Sequence, residues 1–73
     1  MKIKDQENRK QLKLIGLKCS IHRRALKRTQ TDVARETGYT QRNISTFEKG
    51  FNNNAIILLW YLENGIPIEE LLK

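Results

Sequence analysis

The sequence predicts an all-α fold, a compact bundle of about five short helices in a single domain. Apolar residues between positions 12 and 26 recur every three or four residues, which is the spacing of one helix face. Glycines and helix-capping residues divide the rest of the chain into short segments, and no segment shows the alternation typical of a strand. With 73 residues, the chain has no room for a second domain.

Residues 1–27 are predicted to be helical and contain two apolar stripes on nearly opposite sides. The stripe expected to face the core comprises Leu12, Ile15, Cys19, His22 and Leu26. The second stripe, expected to face water in a monomer, comprises Leu14, Leu17, Ile21 and Ala25. Gly16 lies within this pattern and weakens the prediction of one continuous helix. The alternative is a helix that begins near Leu14 or Leu17 after a mobile basic arm.

Two short helices joined by a turn are predicted next. Thr29 is an N-cap with Asp32 at the capping-box position, and Gly38 ends the first helix. Thr40 caps the second helix, which extends to Lys49 and is closed by a glycine. Two helices joined by a short turn that contains glycine form a helix-turn-helix unit. Ala34 is expected where the two helices pass closest to each other. The residues expected to pack both helices onto a shared core are Val33, Thr37, Tyr39, Ile44 and Phe47.

The last third of the chain predicts two more helices. Residues 55–63 are apolar nearly all round, as expected for a central helix, and Trp60 and Tyr61 within them are expected in the core. An Asn-Gly pair ends this helix. Pro67 suits the first position of a short last helix, whose first turn contains two glutamates.

The charge distribution favours a polyanionic partner. The net charge of the chain is +6. Residues 1–28 contain ten Lys and Arg against two acidic residues, a balance of +8, whereas residues 29–73 have a balance of −2. Nucleic acid is the first candidate for such a basic segment, and an anionic membrane is the second. A well-solvated helix face without any partner is the third interpretation.

The sequence argues against a membrane protein. The longest apolar run, residues 55–62, is less than half of what a bilayer span requires. An interfacial helix needs one clean apolar face, whereas the basic stretch has apolar stripes on opposite faces. The first residues are charged and no apolar signal segment follows them, so we expect a cytoplasmic protein without membrane contact.

The chain lacks the residues for common catalytic and metal sites. One cysteine excludes an internal disulfide framework and a cysteine zinc cluster, and with one cysteine and one histidine we expect no Ser/His/Asp or Cys/His catalytic set. The sequence contains no glycine-rich phosphate-binding loop. We therefore expect no enzymatic activity, no metal, no cofactor and no small-molecule substrate, with Cys19 as a small buried hydrophobe and His22 as a structural residue.

A pattern of residues across the helix-turn-helix is specific to one family. It consists of Thr29-Gln30-x-Asp32-Val33-Ala34, then Gly38-Tyr39, then Ile44-Ser45-x-x-Glu48-Lys49-Gly50. This pattern resembles the lambda-repressor-like, Cro/C1-type helix-turn-helix family of DNA-binding proteins. The resemblance covers residues 17–73 and leaves residues 1–16 as a basic N-terminal extension, helical or mobile. His22 and Arg28 stand where the family usually has aliphatic residues, so the packing of the first helix departs from the family pattern.

The resemblance implies a role for individual residues. In similar proteins the second helix of the motif lies in the major groove, with its first residues on base edges. The residues implied for base reading are Gln41, Arg42, Ser45 and Thr46. Those implied for phosphate contacts are Thr29, Gln30, Asn43, Lys49 and Asn53, and Gln30 is also implied to brace the motif. Behind the helix, Arg23 and Glu48 are implied as an ion pair that fixes its angle to the body.

Each of these assignments has a purely structural alternative. Gln41 and Arg42 could be solvated polar residues at a helix start, and Gln30, Asn43 and Asn53 could serve as helix caps. The chemistry of the first two residues suits DNA, because Gln can bond adenine N6 and N7 together and Arg can bond guanine O6 and N7.

The function implied is that of a small sequence-specific transcriptional regulator, a repressor of phage or mobile-element type. It would bind double-stranded DNA at a palindromic operator as a homodimer, with its recognition helices about 34 Å apart. Leu14, Leu17 and Ile21 are candidate dimer contacts, unless Gly16 breaks the helix and Leu14 folds back onto the core. The alternative function is an antitoxin-like or antirepressor-like adaptor that uses the same fold mainly to bind a protein.

Overall fold

The computed structural model describes residues 5–71, with side chains from residue 9 onward, as five α-helices. In chain order they are α1 (Asp5–Ala25), α2 (Gln30–Thr37), α3 (Gln41–Glu48), α4 (Ala55–Glu63) and α5 (Ile68–Leu71). Residues 5–71 contain no strand, and the all-α prediction is confirmed. None of the helices in this range has the length and apolar character that a membrane crossing requires.

α1 is one continuous helix that passes through Gly16 without a break. Gly16 packs directly on the end of α3, since a Cβ atom at this position would lie 2.5 Å from the carbonyl oxygen of Glu48. The glycine therefore serves close helix packing, and both alternatives based on a break are wrong. α1 does not begin at Leu14 or Leu17, and Leu14, which is 39% exposed, does not fold back onto the core. Residues 1–4 of the predicted extension lie outside the described residues.

The predicted core stripe of α1 is correct except at its C-terminal end. Cys19 is buried, and the half-buried His22 donates a hydrogen bond from Nε2 to the carbonyl of Asn64 at 3.0 Å. Leu26 was predicted to face the core but is 40% exposed. The reason is that α1 ends at Ala25, so the helical spacing that would have turned Leu26 inward stops one residue before it. The second stripe faces outward, as predicted.

α2 and α3 both begin with a capping box. Thr29 Oγ1 accepts from the Asp32 amide at 3.0 Å, while Asp32 Oδ2 accepts from the Thr29 amide at 2.8 Å. Thr40 and Asn43 exchange the same two bonds, each at 3.1 Å. Gly38 ends α2 in the left-handed conformation, with a φ of 80°. Gly38 and the bonds between Thr40 and Asn43 thereby define the two ends of the turn between α2 and α3.

The buried apolar residues form one cluster to which all five helices contribute. Its members are Cys19, Val33, Ala34, Ile44, Phe47, Ile57, Trp60, Tyr61, Ile66 and Leu71. Tyr39 was predicted to belong to it but is 37% exposed, because it lies in the surface turn after Gly38. α4 is not a central helix either, since Ile56 and Leu59 are about half exposed. A chain of this size is too small to surround one helix with the others.

We expect Gly16→Ala to destabilise the protein by about 2 kcal/mol, although alanine favours a helix over glycine by about 1 kcal/mol. The added methyl group would overlap the backbone of α3, which cannot move aside as a flexible side chain can. Urea unfolding followed by the fluorescence of Trp60, the single tryptophan, measures the change. Gln11→Ala, at an exposed position of α1, is the control and should shift stability by less than about 0.5 kcal/mol. A Gly16→Ala protein as stable as this control would contradict the packing argument.

Candidate nucleic-acid interface

The first half of α3 presents a polar surface to solvent. Gln41 and Arg42, its first two residues, are exposed, and Ser45 and Thr46 follow one turn later in half-buried positions. The N-terminus of the helix adds a partial positive charge at the same place. All four residues predicted to read bases therefore lie on this one helix, two of them fully accessible and two partly.

Thr46 is already engaged within the protein. Its hydroxyl donates to the Asn43 carbonyl at 3.0 Å and accepts from Asn52 Nδ2 at 2.8 Å. Because a threonine hydroxyl has one hydrogen, Thr46 has no further donor to offer a ligand. Its methyl group and its remaining lone pair are what α3 can present at this position.

The residues predicted to contact phosphates differ in their surroundings. Thr29, Lys49 and Asn53 are exposed, at helix ends or in the loop after α3. Asn43 acts as a cap, since its Oδ1 accepts from the amide of Thr40 at 3.1 Å and from its hydroxyl at 2.8 Å. Asn53 is not the N-cap of α4, which the next residue provides. Thr29, Lys49 and Asn53 are therefore the members of this set that solvent reaches most readily.

A buried carboxylate lies behind α3 and joins four helices. Glu48, the last residue of α3, is 8% exposed and forms the predicted ion pair with Arg23 of α1, whose Nε donates at 2.7 Å. Arg23 Nη2 donates to the second carboxylate oxygen at 3.1 Å, and Gln30 Nε2 of α2 donates to that same oxygen at 2.9 Å. The hydroxyl of Tyr61 on α4 is a further donor. Arg23 also donates from Nη1 to the Arg28 carbonyl at 2.8 Å.

The surroundings of Glu48 determine which groups are charged. Burial raises the pKa of Glu48, but hydrogen bonds from Arg23, Tyr61 and Gln30 lower it more, so the pKa lies below its ordinary value of 4.5. Burial and then the charge of Glu48 raise the pKa of the Cys19 thiol to about 12. Burial and the bond to Glu48 also raise the pKa of Tyr61. At neutral pH, Glu48 is therefore ionised and both of these neighbours keep their protons.

Gln30 links the buried carboxylate to the exposed start of α3. Its Nε2 donates to Glu48, and its Oε1 accepts a hydrogen bond from Gln41 Nε2. One N–H and the carbonyl oxygen of the Gln41 amide remain, which is the pair of groups that can bond adenine N7 and N6. Sequence reasoning assigned Gln30 to a phosphate contact, a bracing role or a cap, but it did not identify Gln41 as its partner. The only sequence signal for this bond is a glutamine at the first position of both helices.

Sequence reasoning also missed the role of Arg28. It forms an ion pair with Glu36 of α2, and its guanidinium carbon lies 5.7 Å from the centre of the Trp60 ring on α4. Arg28 thereby holds the connection between α1 and α2 against α2 and α4. No local spacing joins these three residues, so the sequence marks this position only as a departure from the family pattern.

Comparison of the chain with protein-family models, curated proteins and solved structures finds no match. Within the described residues, no cluster of His, Cys, Asp or Glu is suited to hold a metal ion. The polar surface of α3 and the bonds that hold it are the features from which a function can be inferred.

Glu48→Gln should lower the free energy of unfolding at pH 7 by about 3 kcal/mol, because the buried Arg23 loses the charge that it pairs with. The pKa of Glu48 is lower in the folded state than in the unfolded state. Its charge therefore stabilises the fold above the unfolded value of 4.5, and this contribution is lost as the pH falls toward the folded value. The difference in the free energy of unfolding between the wild-type protein and Glu48→Gln should shrink as the pH falls below 4.5.

Urea unfolding of both proteins at pH 7 and at about pH 3 measures this difference. Glu63→Gln, at an exposed carboxylate of α4, is the matched control and should follow the wild-type protein at both pH values. A difference between Glu48→Gln and the wild-type protein that stays constant with pH would show that the charge of Glu48 does not stabilise the fold.

Proposed function

We propose that this protein is a sequence-specific DNA-binding transcriptional regulator in which α2, the turn at Gly38 and α3 act as a helix-turn-helix of the lambda-repressor-like, Cro/C1-type. The observation that carries the proposal is the side chain of Gln41, exposed at the start of α3 and braced through Gln30 to the buried Glu48. A solvated surface glutamine needs no such chain of bonds, whereas a glutamine that reads a base needs a fixed direction.

The charges around α3 favour DNA as the ligand. The exposed side chains of α3 include no carboxylate, because its one acidic residue, Glu48, is buried in the ion pair. Lys49 follows α3 directly, and Lys27 is exposed just after the end of α1. Cations at these helix ends suit the phosphates that flank the major groove, where they would supply affinity without sequence preference.

In the proposed complex, the N-terminal end of α3 enters the major groove. Gln41 bonds an adenine edge and Arg42 bonds a guanine edge, each through two hydrogen bonds. Ser45 meets the next base along the same face, and Thr46 contributes its methyl group, which suits the methyl group of thymine. Phosphate contacts come from Thr29, Lys49 and Asn53, while Gln30 and Asn43 support the surface from within the protein.

Two copies of the chain bind one operator in this proposal. A palindromic operator presents the same base edges twice, about 34 Å apart, and a homodimer can present its two α3 helices at that spacing. Such a protein regulates by occupying its site, and the family resemblance suggests a repressor of phage or mobile-element type. This role also implies the cytoplasmic location expected from the sequence, since the target DNA lies there.

Selection of bound sequences from a random pool of double-stranded DNA tests the proposal. We expect an enriched palindrome with its half-sites one helical turn apart, bound by two copies of the chain in sedimentation experiments. A pool that remains random after repeated rounds of selection would refute sequence-specific binding.

On the selected operator, Gln41→Ala and Arg42→Ala should each cost about 1–3 kcal/mol of binding free energy, with little change on random DNA. Lys49→Ala should weaken binding to the operator and to random DNA alike. It should also reduce the number of counterions released on binding, which the salt dependence measures, by about one. Fluorescence anisotropy at several salt concentrations measures both effects. Leu59→Ala, at a half-exposed position of α4, is the control and should change neither the affinity for DNA nor its salt dependence. Equal losses on both DNAs for Gln41→Ala would mean that α3 does not read bases.

A further inference from the structure

A groove of about 560 Å³ lies between the first half of α1 and the residues that follow α3. We name it the Phe51 groove, and the residues that define it are Lys10, Lys13, Leu14, Leu17, Lys49 and Phe51. Its volume is within the range of about 300–1,000 Å³ that is typical of ligand pockets. The DNA contacts proposed above involve only one of these residues, Lys49.

The floor of the Phe51 groove is apolar and open to solvent. Leu17 is 51% exposed and Phe51 is 65% exposed, and Leu14 lies beside them. Large apolar side chains that are exposed next to one another usually mark a contact surface. An isolated surface leucine would not carry this inference, but three adjacent apolar side chains around a concave surface do.

The groove is held open by backbone packing. The amide of Phe51 donates to the Thr46 carbonyl at 2.9 Å, which ties the loop to the end of α3. Gly50, with a φ of 81°, lies so close to α1 that a Cβ atom there would be 2.5 Å from the Cα atom of Lys13. The position of Phe51 is therefore set by the fold, and a ligand would meet a surface that already exists.

The rim of the groove carries positive charge that no carboxylate with a described side chain neutralises. Lys10, Lys13 and Lys49 line it, and Arg9 lines a smaller cavity that adjoins it. None of these four forms a salt bridge with a carboxylate whose side chain is described. Among the described side chains that line the groove, the one carboxylate is that of Glu48, which is buried and already bonded to Arg23, Gln30 and Tyr61.

We propose that the Phe51 groove binds an amphipathic segment of another protein, a short helix whose apolar side chains are flanked by Asp and Glu. The apolar side chains would cover the floor formed by Leu14, Leu17 and Phe51, and the carboxylates would face the cations of the rim. This inference concerns a different surface from the proposed base-reading residues and does not depend on them.

A second copy of the chain and DNA each match only one half of this surface. A symmetric contact with a second copy would place the lysines of both rims against each other, which is unfavourable. The phosphate backbone of DNA would suit the lysines but has no apolar group to cover Phe51. In this proposal Leu14 and Leu17 contact the partner helix, and not the second copy that was expected from the sequence. Ile21, the third residue of that expected dimer contact, does not line the groove.

A synthetic helical peptide with leucines along one face and glutamates elsewhere is the probe. Fluorescence anisotropy of the labelled peptide should show saturable binding that weakens as salt is added, because exposed charges are screened. Two matched peptides serve as controls, one with serine in place of leucine and one with lysine in place of glutamate. Each should bind at least about tenfold more weakly, since each lacks one half of the recognition.

Variants of the chain locate the binding site. Phe51→Ser and Lys13→Glu should each weaken binding of the acidic peptide by about tenfold. Leu59→Ser, on α4, and Arg24→Glu, on α1, remove an apolar side chain and a cation outside the groove and should leave the affinity unchanged. Circular dichroism of all four variants checks that the helices are intact.

Several results would overturn the proposal. These are no binding of the acidic peptide up to about 1 mM, equal binding of the lysine peptide, or equal losses in the control variants. Dissociation of a dimer by Phe51→Ser in sedimentation experiments would assign the groove to a second copy. Binding of phosphatidylglycerol vesicles that exceeds peptide binding and is lost in Phe51→Ser would assign it to a membrane. The affinity of Phe51→Ser for the selected operator is measured in parallel, so that a failure of this proposal is distinguished from a failure of DNA binding.

Discussion

The carboxylate of Glu48 is the point on which the arrangement of the helices depends. It ends α3 and accepts hydrogen bonds from Arg23 on α1, Gln30 on α2 and Tyr61 on α4. A charge in such a place is stable only when every donor is present, because an unpaired buried charge is costly. Four helices therefore share one set of bonds, which ties the end of α3 to α1, α2 and α4.

Close backbone contact is the second constraint, and it sets how α1 lies against the end of α3. α1 contacts α3, α4 and α5, and its first half lies against the end of α3. Gly16 and Gly50 permit this approach, since a side chain at either position would overlap backbone atoms of the facing segment. A chain of 73 residues buries little surface, so these close approaches add to the packing that its apolar cluster provides.

The parts of the fold that local chemistry determines could be predicted from the sequence. Thr29, Gly38 and Thr40 act on their own neighbours, so the helix ends that they define were predicted correctly. The purpose of Gly16 could not be predicted, because it depends on a segment far along the chain. The bond between the side chains at the starts of α2 and α3 and the ion pair made by Arg28 were missed for the same reason. The buried ion pair of α1 and α3 was expected from the family resemblance, which records distant contacts that spacing does not reveal.

The bond between Gln30 and Gln41 also affects the entropy of recognition. A long side chain that moves freely loses rotamer freedom worth about 1.5–2 kcal/mol when a partner fixes it. In this protein the Gln41 amide is held by Gln30, which Glu48 holds in turn. Part of the rotamer freedom of Gln41 is therefore lost when the chain folds, and burial of the core offsets this entropic cost. A base that meets Gln41 in the proposed complex therefore needs to immobilise less of the protein, and more of the contact energy remains as affinity.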